Sequence, residues 1–130
     1  MPSRVQLSRH KGWKMPENTV SVARPTVWGN PYSVERYGLD LCLEMFAETA
    51  RGGWNPSIIP DSVPSDDHSL YDAHTAWLER LRKVFGRGNP SEIIRYELRG
   101  KNLACWCPLR DSYGRQVRCH ADLLLEIANE

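Results

Sequence analysis

The sequence predicts an α/β (or α+β) fold, in which a small sheet packs with about four helices in a single layered domain. Short segments near the N-terminus alternate in polarity as strands do, and longer segments further on carry apolar residues at helical spacing. The region from residue 90 onward predicts a helix, a strand and a helix in succession, the unit from which layered α/β domains are built. A chain of 130 residues without repeats or an evident linker has the size of one domain, so we assign residues 1–130 to it.

Two short strands are predicted near the N-terminus. Residues 4–8 (RVQLS) and 18–23 (NTVSVA) alternate in polarity and are rich in strand-forming residues. The segment that follows, residues 24–33, contains two prolines and a glycine. This composition predicts an ordered loop or a strand that ends in a turn.

Four helices follow from apolar spacing and from glycine or proline at the expected ends. They are predicted over residues 39–50, from a cap at Ser69 or Asp72 to residue 85, over 90–98 and over 119–130, with a buried strand over 102–107 (NLACWC). Residues 54–69 hold three prolines and several small polar residues. We therefore predict that this segment is an irregular excursion or a lid.

Three of the four cysteines lie near the C-terminus, in a Cys105-x-Cys107 pair and a Cys119-His120 doublet. On a strand, Cys105 and Cys107 would face the same side and lie at its carboxyl end. The loop 108–118 would then return the chain to Cys119 at a helix start, where free N–H groups attract anions. This corner is the best candidate site in the sequence.

Three interpretations of the cysteine cluster remain open. Cys105, Cys107, Cys119 and His120 have the ligand types of a zinc site, although their spacing departs from the usual C-x2-C pairing. Alternatively, Cys119 is a reactive thiolate activated by the helix dipole and Arg118. In the third interpretation the cysteines are packing residues and His120 makes only local hydrogen bonds.

The net charge of +1 conceals two basic segments. Residues 1–34 carry five basic residues and one acidic residue, and residues 86–118 carry seven basic and three acidic residues. Two basic segments far apart in sequence are expected where they converge on one anionic ligand.

No segment has the apolar length of a signal peptide or of a membrane span. The sequence therefore predicts a cytoplasmic protein without a membrane partner, or a protein of the host cytoplasm if a phage encodes it. In that reducing compartment, clustered cysteines favour metal ligation or catalysis over disulfides.

The N-terminal basic segment is dense in residue types that recognise nucleotides. Arginine and lysine bind phosphate, tryptophan stacks on bases, and serine and asparagine make directed hydrogen bonds. The predicted ligand-binding residues are Arg4, Ser8, Arg9, Lys11, Arg24, Trp28 and Asn30, with Trp13 as a second stacking residue. The alternative is that the tryptophans belong to the core and the basic residues are only solvated.

Two long motifs, RVQLSRHKGWKMPENTVSVARPTVWGNPY and LRGKNLACWCPLRDSYGRQVRCHADLLLEIAN, cover nearly half of the chain. Together they resemble a family of small bacterial and phage proteins known only as a domain of unknown function. The resemblance supplies no activity. Because its motifs coincide with the two basic segments, it implies one composite site.

The sequence thus predicts a protein that binds a nucleotide-like, phosphorylated ligand. If it is an enzyme, hydrolysis or transfer at a glycosidic or phosphate bond fits best, with His120 as the acid–base group and Cys119 as a second catalytic candidate. The absence of paired carboxylates leaves catalysis open. The alternative function is a non-enzymatic module, stabilised by zinc, that binds single-stranded nucleic acid or a host protein.

Overall fold

The computed structural model describes residues 2–86 and 88–130 and contains one parallel sheet of three short strands. The strand β3 (Asn102–Cys105) lies in the centre, between β1 (Arg4–Gln6) and β2 (Thr19–Ser21). Because the strands run in the same direction, their carboxyl ends meet at one edge of the sheet, where α/β proteins commonly bind ligands.

The described residues also form five helices, so the predicted α/β class is confirmed. The helices are α1 (Val34–Tyr37), α2 (Leu39–Ala50), α3 (Ser69–Phe85), α4 (Pro90–Leu98) and α5 (His120–Ala128). Of these, α5 contacts the sheet directly, while α2 and α4 pack on α5. The sequence did not predict α1, which is a single turn. At the start of α4, the side chain of Asn89 accepts a hydrogen bond from the Ser91 N–H, and proline at the first helical position suits the cap. Among the described residues, no helix combines the length and apolarity needed to cross a membrane.

All three strands are shorter than predicted. Arg4 pairs with Leu103, and the ladder ends close after Cys105, where the Leu7 N–H donates to the Cys105 carbonyl at 2.8 Å. Trp106 and Cys107 therefore lie in a bend beyond the strand. The expectation that Cys105 and Cys107 face one side of a strand is wrong, because the three-residue neighbours of β3 cannot extend the ladder that far.

The core lies between the sheet and the helices. Its largest fully buried side chains include Trp77, Phe46, Leu103, Leu124 and Ile127. The Nε1–H of Trp77 also donates a hydrogen bond to the Val27 carbonyl at 2.9 Å. This bond attaches α3 to the loop that follows β2.

Residues 54–68 contain only a single turn of 3₁₀ helix, Pro56–Ile58, and several turns. Both ends of the segment are attached to the domain. The ring of Trp54 contacts that of His74, with centroids 4.8 Å apart, and Asp67 accepts hydrogen bonds from the N–H and hydroxyl of Ser69 at the start of α3. These bonds from Ser69 lower the pKa of Asp67 to about 2. That the whole segment opens as a lid stays a prediction.

A chain of buried polar groups joins Tyr32, Thr49 and His74. The Tyr32 and Thr49 hydroxyl oxygens are 2.7 Å apart, and the Thr49 oxygen lies 2.9 Å from Nδ1 of His74. Burial raises the pKa of Tyr32 to about 12 and lowers the pKa of His74. Burial therefore favours the neutral forms of Tyr32 and His74 in the folded protein.

We expect the free energy of unfolding to decrease as the pH falls below about 6.5, the ordinary pKa of histidine. The unfolded state binds a proton at His74 before the folded state does, so acidification favours unfolding. Urea unfolding at several pH values between about 7.5 and 5 measures the slope of the free energy of unfolding against pH. His74→Gln should reduce the slope, whereas His68→Gln, at an exposed histidine, should leave it unchanged. Equal slopes in wild type and His74→Gln would contradict the assignment.

Candidate functional site

The carboxyl edge of the sheet borders a cavity of about 260 Å³. Its walls come from the loop after β2, the bend after β3 and the start of α5, and Leu39 and Leu43 of α2 contribute apolar surface. The two basic segments thus meet at one cavity, though through few of their residues. The polar, thiol and aromatic residues that line it are Arg24, Asn30, Cys105, Trp106, Cys107, Cys119 and His120.

Three thiols meet beside this cavity. The sulfur atoms of Cys105 and Cys119 are 3.2 Å apart, and those of Cys105, Cys107 and Cys119 all lie within 4.8 Å of one another. Cys105 and Cys119 are buried and Cys107 is half-buried. The imidazole of His120 is not part of this group. Of the four predicted metal ligands, the structure brings together the three cysteines.

Cys119 caps the first turn of α5. Its sulfur accepts a hydrogen bond from the Ala121 N–H at 3.4 Å, and the Asp122 carboxylate accepts one from the Cys119 N–H at 2.9 Å. The predicted anion site at this helix start is therefore capped by the chain itself.

The thiols of the cluster shift one another's pKa values in opposite directions. Hydrogen bonds from the Cys105 and Cys107 thiols hold the pKa of Cys119 well below its ordinary value. Hydrogen bonds with Cys107 and Cys119 raise the pKa of Cys105. The lowered pKa favours the thiolate form of Cys119, which is the form in which cysteine acts as a nucleophile or a metal ligand.

The side chain of Arg4 does not line this cavity, and its contact with a ligand phosphate stays a prediction. It is 6 % exposed, and Nη2 donates to the carbonyls of Pro108 at 3.1 Å and Val117 at 2.7 Å. Its Nε lies 3.7 Å from a carboxylate oxygen of Asp122. Nη1 is the buried side-chain nitrogen that has no hydrogen-bond partner in the described part of the chain. The guanidinium also contributes to the low pKa of Cys119, so its charge acts on the thiol cluster.

The imidazole of His120 is fixed by one hydrogen bond. Nε2 lies 2.7 Å from the Val22 carbonyl oxygen. Because a carbonyl only accepts, Nε2 carries the proton, and Nδ1 of the neutral ring is left as a proton acceptor. The ring packs edge-on against Phe46, with centroids 6.0 Å apart. His120 thus lines the cavity in a defined tautomer.

Asn30 offers a donor to the cavity, and Arg24 holds the loop that carries it. The Asn30 side-chain oxygen accepts from the Tyr32 N–H at 2.9 Å, which fixes the amide orientation. No side-chain or backbone acceptor for its Nδ2 is found in residues 2–86 and 88–130, and Asn30 lines the cavity, so this amide N–H group can donate to a ligand there. Arg24 donates to the carbonyls of Asn30 at 2.8 Å and Tyr32 at 2.7 Å.

Trp106 is the site residue that sequence reasoning missed. It is 46 % exposed, it lines the cavity, and Cζ of Arg9 lies 4.9 Å from the centroid of its ring. The arrangement is a cation–π pair at the cavity edge. The signal in the sequence is a tryptophan between two cysteines at the carboxyl end of a predicted strand.

Several other predicted ligand-binding residues lie away from the cavity. Trp28 is buried and packs on Phe85, with ring centroids 5.2 Å apart, because the loop folds it into the core. The hydroxyl of Ser8 accepts a local hydrogen bond from the His10 N–H. Lys11 is exposed in a turn, and Trp13 is half-buried.

The sequence model of a family described as "Domain of unknown function (DUF4326)" matches residues 5–130. The match includes the first motif from Val5 onward, all of the second motif and every segment that lines the cavity. No curated protein and no solved structure matches the chain.

Proposed function

The chain belongs to DUF4326, a family defined as a domain of unknown function, and from its cavity we propose that it binds a nucleotide-like ligand. The observation that carries this proposal is the exposed ring of Trp106, which lies at the cavity edge beneath Arg9. A large aromatic face left in solvent beside a cavity offers a stacking surface for a base.

The size of the cavity suits part of a nucleotide. At about 260 Å³ it lies just below the range of roughly 300–1,000 Å³ that is common for ligand pockets. Its walls are largely apolar, with Asn30 as a directed donor. We therefore place a base or sugar inside the cavity and the phosphate at its mouth.

Two arginines are available for the phosphate. Arg9 and Arg24 are both exposed, Arg24 lines the cavity, and Arg9 stacks on Trp106 at its edge. The two carbonyls that accept from Arg24 hold its guanidinium in place, which reduces the entropy lost on binding. A guanidinium binds phosphate through paired N–H groups, so these two residues are suited to that role at the cavity.

The proposal includes hydrolysis or transfer of the bound ligand, with His120 as the proton acceptor. Its Nε2–H is bonded to the Val22 carbonyl, so Nδ1 is the nitrogen that can accept a proton in the neutral ring, and the same imidazole contributes to the low pKa of Cys119. Cys119 is less suited to act as the nucleophile, because its sulfur accepts from Ala121 and from neighbouring thiols. Product analysis after incubation with a bound nucleotide separates turnover from binding.

We expect Trp106→Ala to weaken binding of a mononucleotide about 5- to 150-fold, because stacking on an aromatic ring contributes about 1–3 kcal/mol per base. Calorimetric titration with purine and pyrimidine mononucleotides measures the change. Tyr113→Ala is a matched control. Tyr113 is 82 % exposed and carries Arg115 over its ring at 5.1 Å, but it does not line the cavity.

Two results would contradict the proposal. One is the absence of binding by every mononucleotide and nucleoside tested with the wild-type protein. The other is an equal loss in Trp106→Ala and Tyr113→Ala. Binding of a short single strand alone, with steep salt dependence, would assign the site to single-stranded nucleic acid instead.

A further inference from the structure

The spacing of the three thiols matches a tetrahedral metal site. Zinc–sulfur bonds of about 2.3 Å place the sulfur atoms of a tetrahedral site roughly 3.8 Å apart. Cys105 and Cys119 are 3.2 Å apart, and all three sulfur atoms lie within 4.8 Å of one another. Shifts of about 1 Å or less would bring the cluster to zinc geometry. We infer that Cys105, Cys107 and Cys119 bind one zinc ion as thiolates.

Packing alone does not explain this convergence. Cys105 ends β3, Cys107 follows in the bend, and Cys119 caps α5, so the sulfur atoms converge from three separate backbone positions. Cys107 is only half-buried, whereas a cysteine that serves packing is usually fully buried. Cys42, fully buried in α2 and outside the group, has the character of a packing cysteine.

The buried charge of Arg4 supports the same inference. Zinc with three thiolates carries a net charge of −1, and the Arg4 guanidinium beside the cluster carries +1. Its side chain is 6 % exposed, and Nη1 has no hydrogen-bond partner in residues 2–86 and 88–130. An unpaired buried N–H of a cation is costly, so an adjacent anionic centre would offset that cost.

The fourth coordination position would face the cavity. All three cysteines line it, while His120 is held by Val22 and lies outside the sulfur group. Closed sites with four protein ligands are structural, whereas three protein ligands and an open position are typical of catalytic zinc. The metal would then bind a water molecule or a donor atom of a ligand in the cavity. Each thiol that is still protonated releases its proton to solvent as it binds the metal.

Metal analysis of the purified protein, residues 1–130, tests the inference. We expect about one zinc per chain, or uptake of one equivalent by chelator-treated protein, with three cysteines protected from alkylation. Cys105→Ser and Cys119→Ser should each reduce bound zinc at least tenfold. Cys119→Ser keeps the helix cap, because serine is a favoured N-cap residue. Cys42→Ala should retain the metal and is the matched control for loss of a buried thiol.

A separate measurement tests whether the fourth coordination position is open. Protein loaded with cobalt should change its visible absorption when imidazole is added, because an exchangeable fourth ligand alters the coordination sphere. A spectrum that does not respond would contradict the open position and favour a closed site.

Folded wild-type protein that takes up no zinc, and whose cluster thiols react equally with and without the metal, would overturn the inference. A Cys105–Cys119 disulfide in protein that cannot bind zinc would also overturn it and assign the pair to thiol–disulfide exchange. Zinc titration of the wild-type protein tests the inference even if the serine variants fail to fold. The inference does not rest on nucleotide binding, because zinc is counted with no nucleotide present.

Discussion

Arg4→Met is expected to lower the free energy of unfolding by roughly 2–4 kcal/mol, because it removes a buried cation from several partners at once. The carbonyls of Pro108 and Val117 would lose their donor, and Asp122 would lose a charge at 3.7 Å. The loop 108–118 is joined to β1 through these bonds. Urea unfolding monitored by circular dichroism measures the change.

Arg118→Met is the control for this substitution. Arg118 also adjoins α5 and pairs with Glu126 at 2.9 Å, but both side chains are more than half exposed. An exposed ion pair contributes about 0–1 kcal/mol, so this variant should change stability little. The free energy of unfolding of Arg4→Lys should lie between those of Arg4→Met and Arg118→Met, because an ammonium keeps the charge but lacks the planar fork of donors. Equal effects of Arg4→Met and Arg118→Met would contradict a structural role for the buried guanidinium.

The helices from α2 to α5 were predictable because their signals are local. Apolar spacing, the Asn89 cap and the glycine after Phe85 each act within one or two turns of chain. The meeting of the two basic segments was predictable for a different reason. Residues that follow parallel strands collect at one edge of a sheet, which brings Arg24 beside Cys105.

The roles of individual side chains were not predictable from residue type. Arg4 and Arg24 were both predicted to bind phosphate, yet the first is enclosed by carbonyls of a loop more than one hundred residues away. Likewise, Trp28 is folded into the core and Trp106 is left at the cavity edge. These outcomes depend on which long-range partner each side chain meets, and a single sequence does not contain that information.

His120 lies outside the sulfur cluster for a similar reason, because its side chain meets a partner far away in the sequence. Adjacent residues at a helix start point in different directions, so Cys119 and His120 do not both reach the sulfur cluster. The Val22 carbonyl, on the loop after β2, fixes the imidazole at 2.7 Å. Because of this contact, His120, which was predicted as the fourth metal ligand, lines the cavity outside the sulfur cluster.

The second large effect is expected for Trp77→Ala, which should lower the free energy of unfolding by about 3–5 kcal/mol. Trp77 is fully buried, its ring packs edge-on against Phe46 with centroids 5.3 Å apart, and its Nε1–H donates to the Val27 carbonyl. Small domains have only about 5–15 kcal/mol of stability, so the variant should unfold at markedly lower urea. Tyr96→Ala, at a residue that is 88 % exposed, should stay within about 0.5 kcal/mol of wild type.

Trp77→Phe separates packing from the hydrogen bond and connects the core to the site. Phenylalanine keeps an aromatic ring but leaves the Val27 carbonyl without its donor, which should cost about 1–3 kcal/mol. Because Val27 belongs to the loop that carries Arg24 and Asn30, the folded fraction of this variant should also bind mononucleotides more weakly. Calorimetric titration at low temperature, where the variant stays folded, measures that loss. Unchanged affinity would show that the loop keeps its position without this bond, and the role of Trp77 would then be confined to the core.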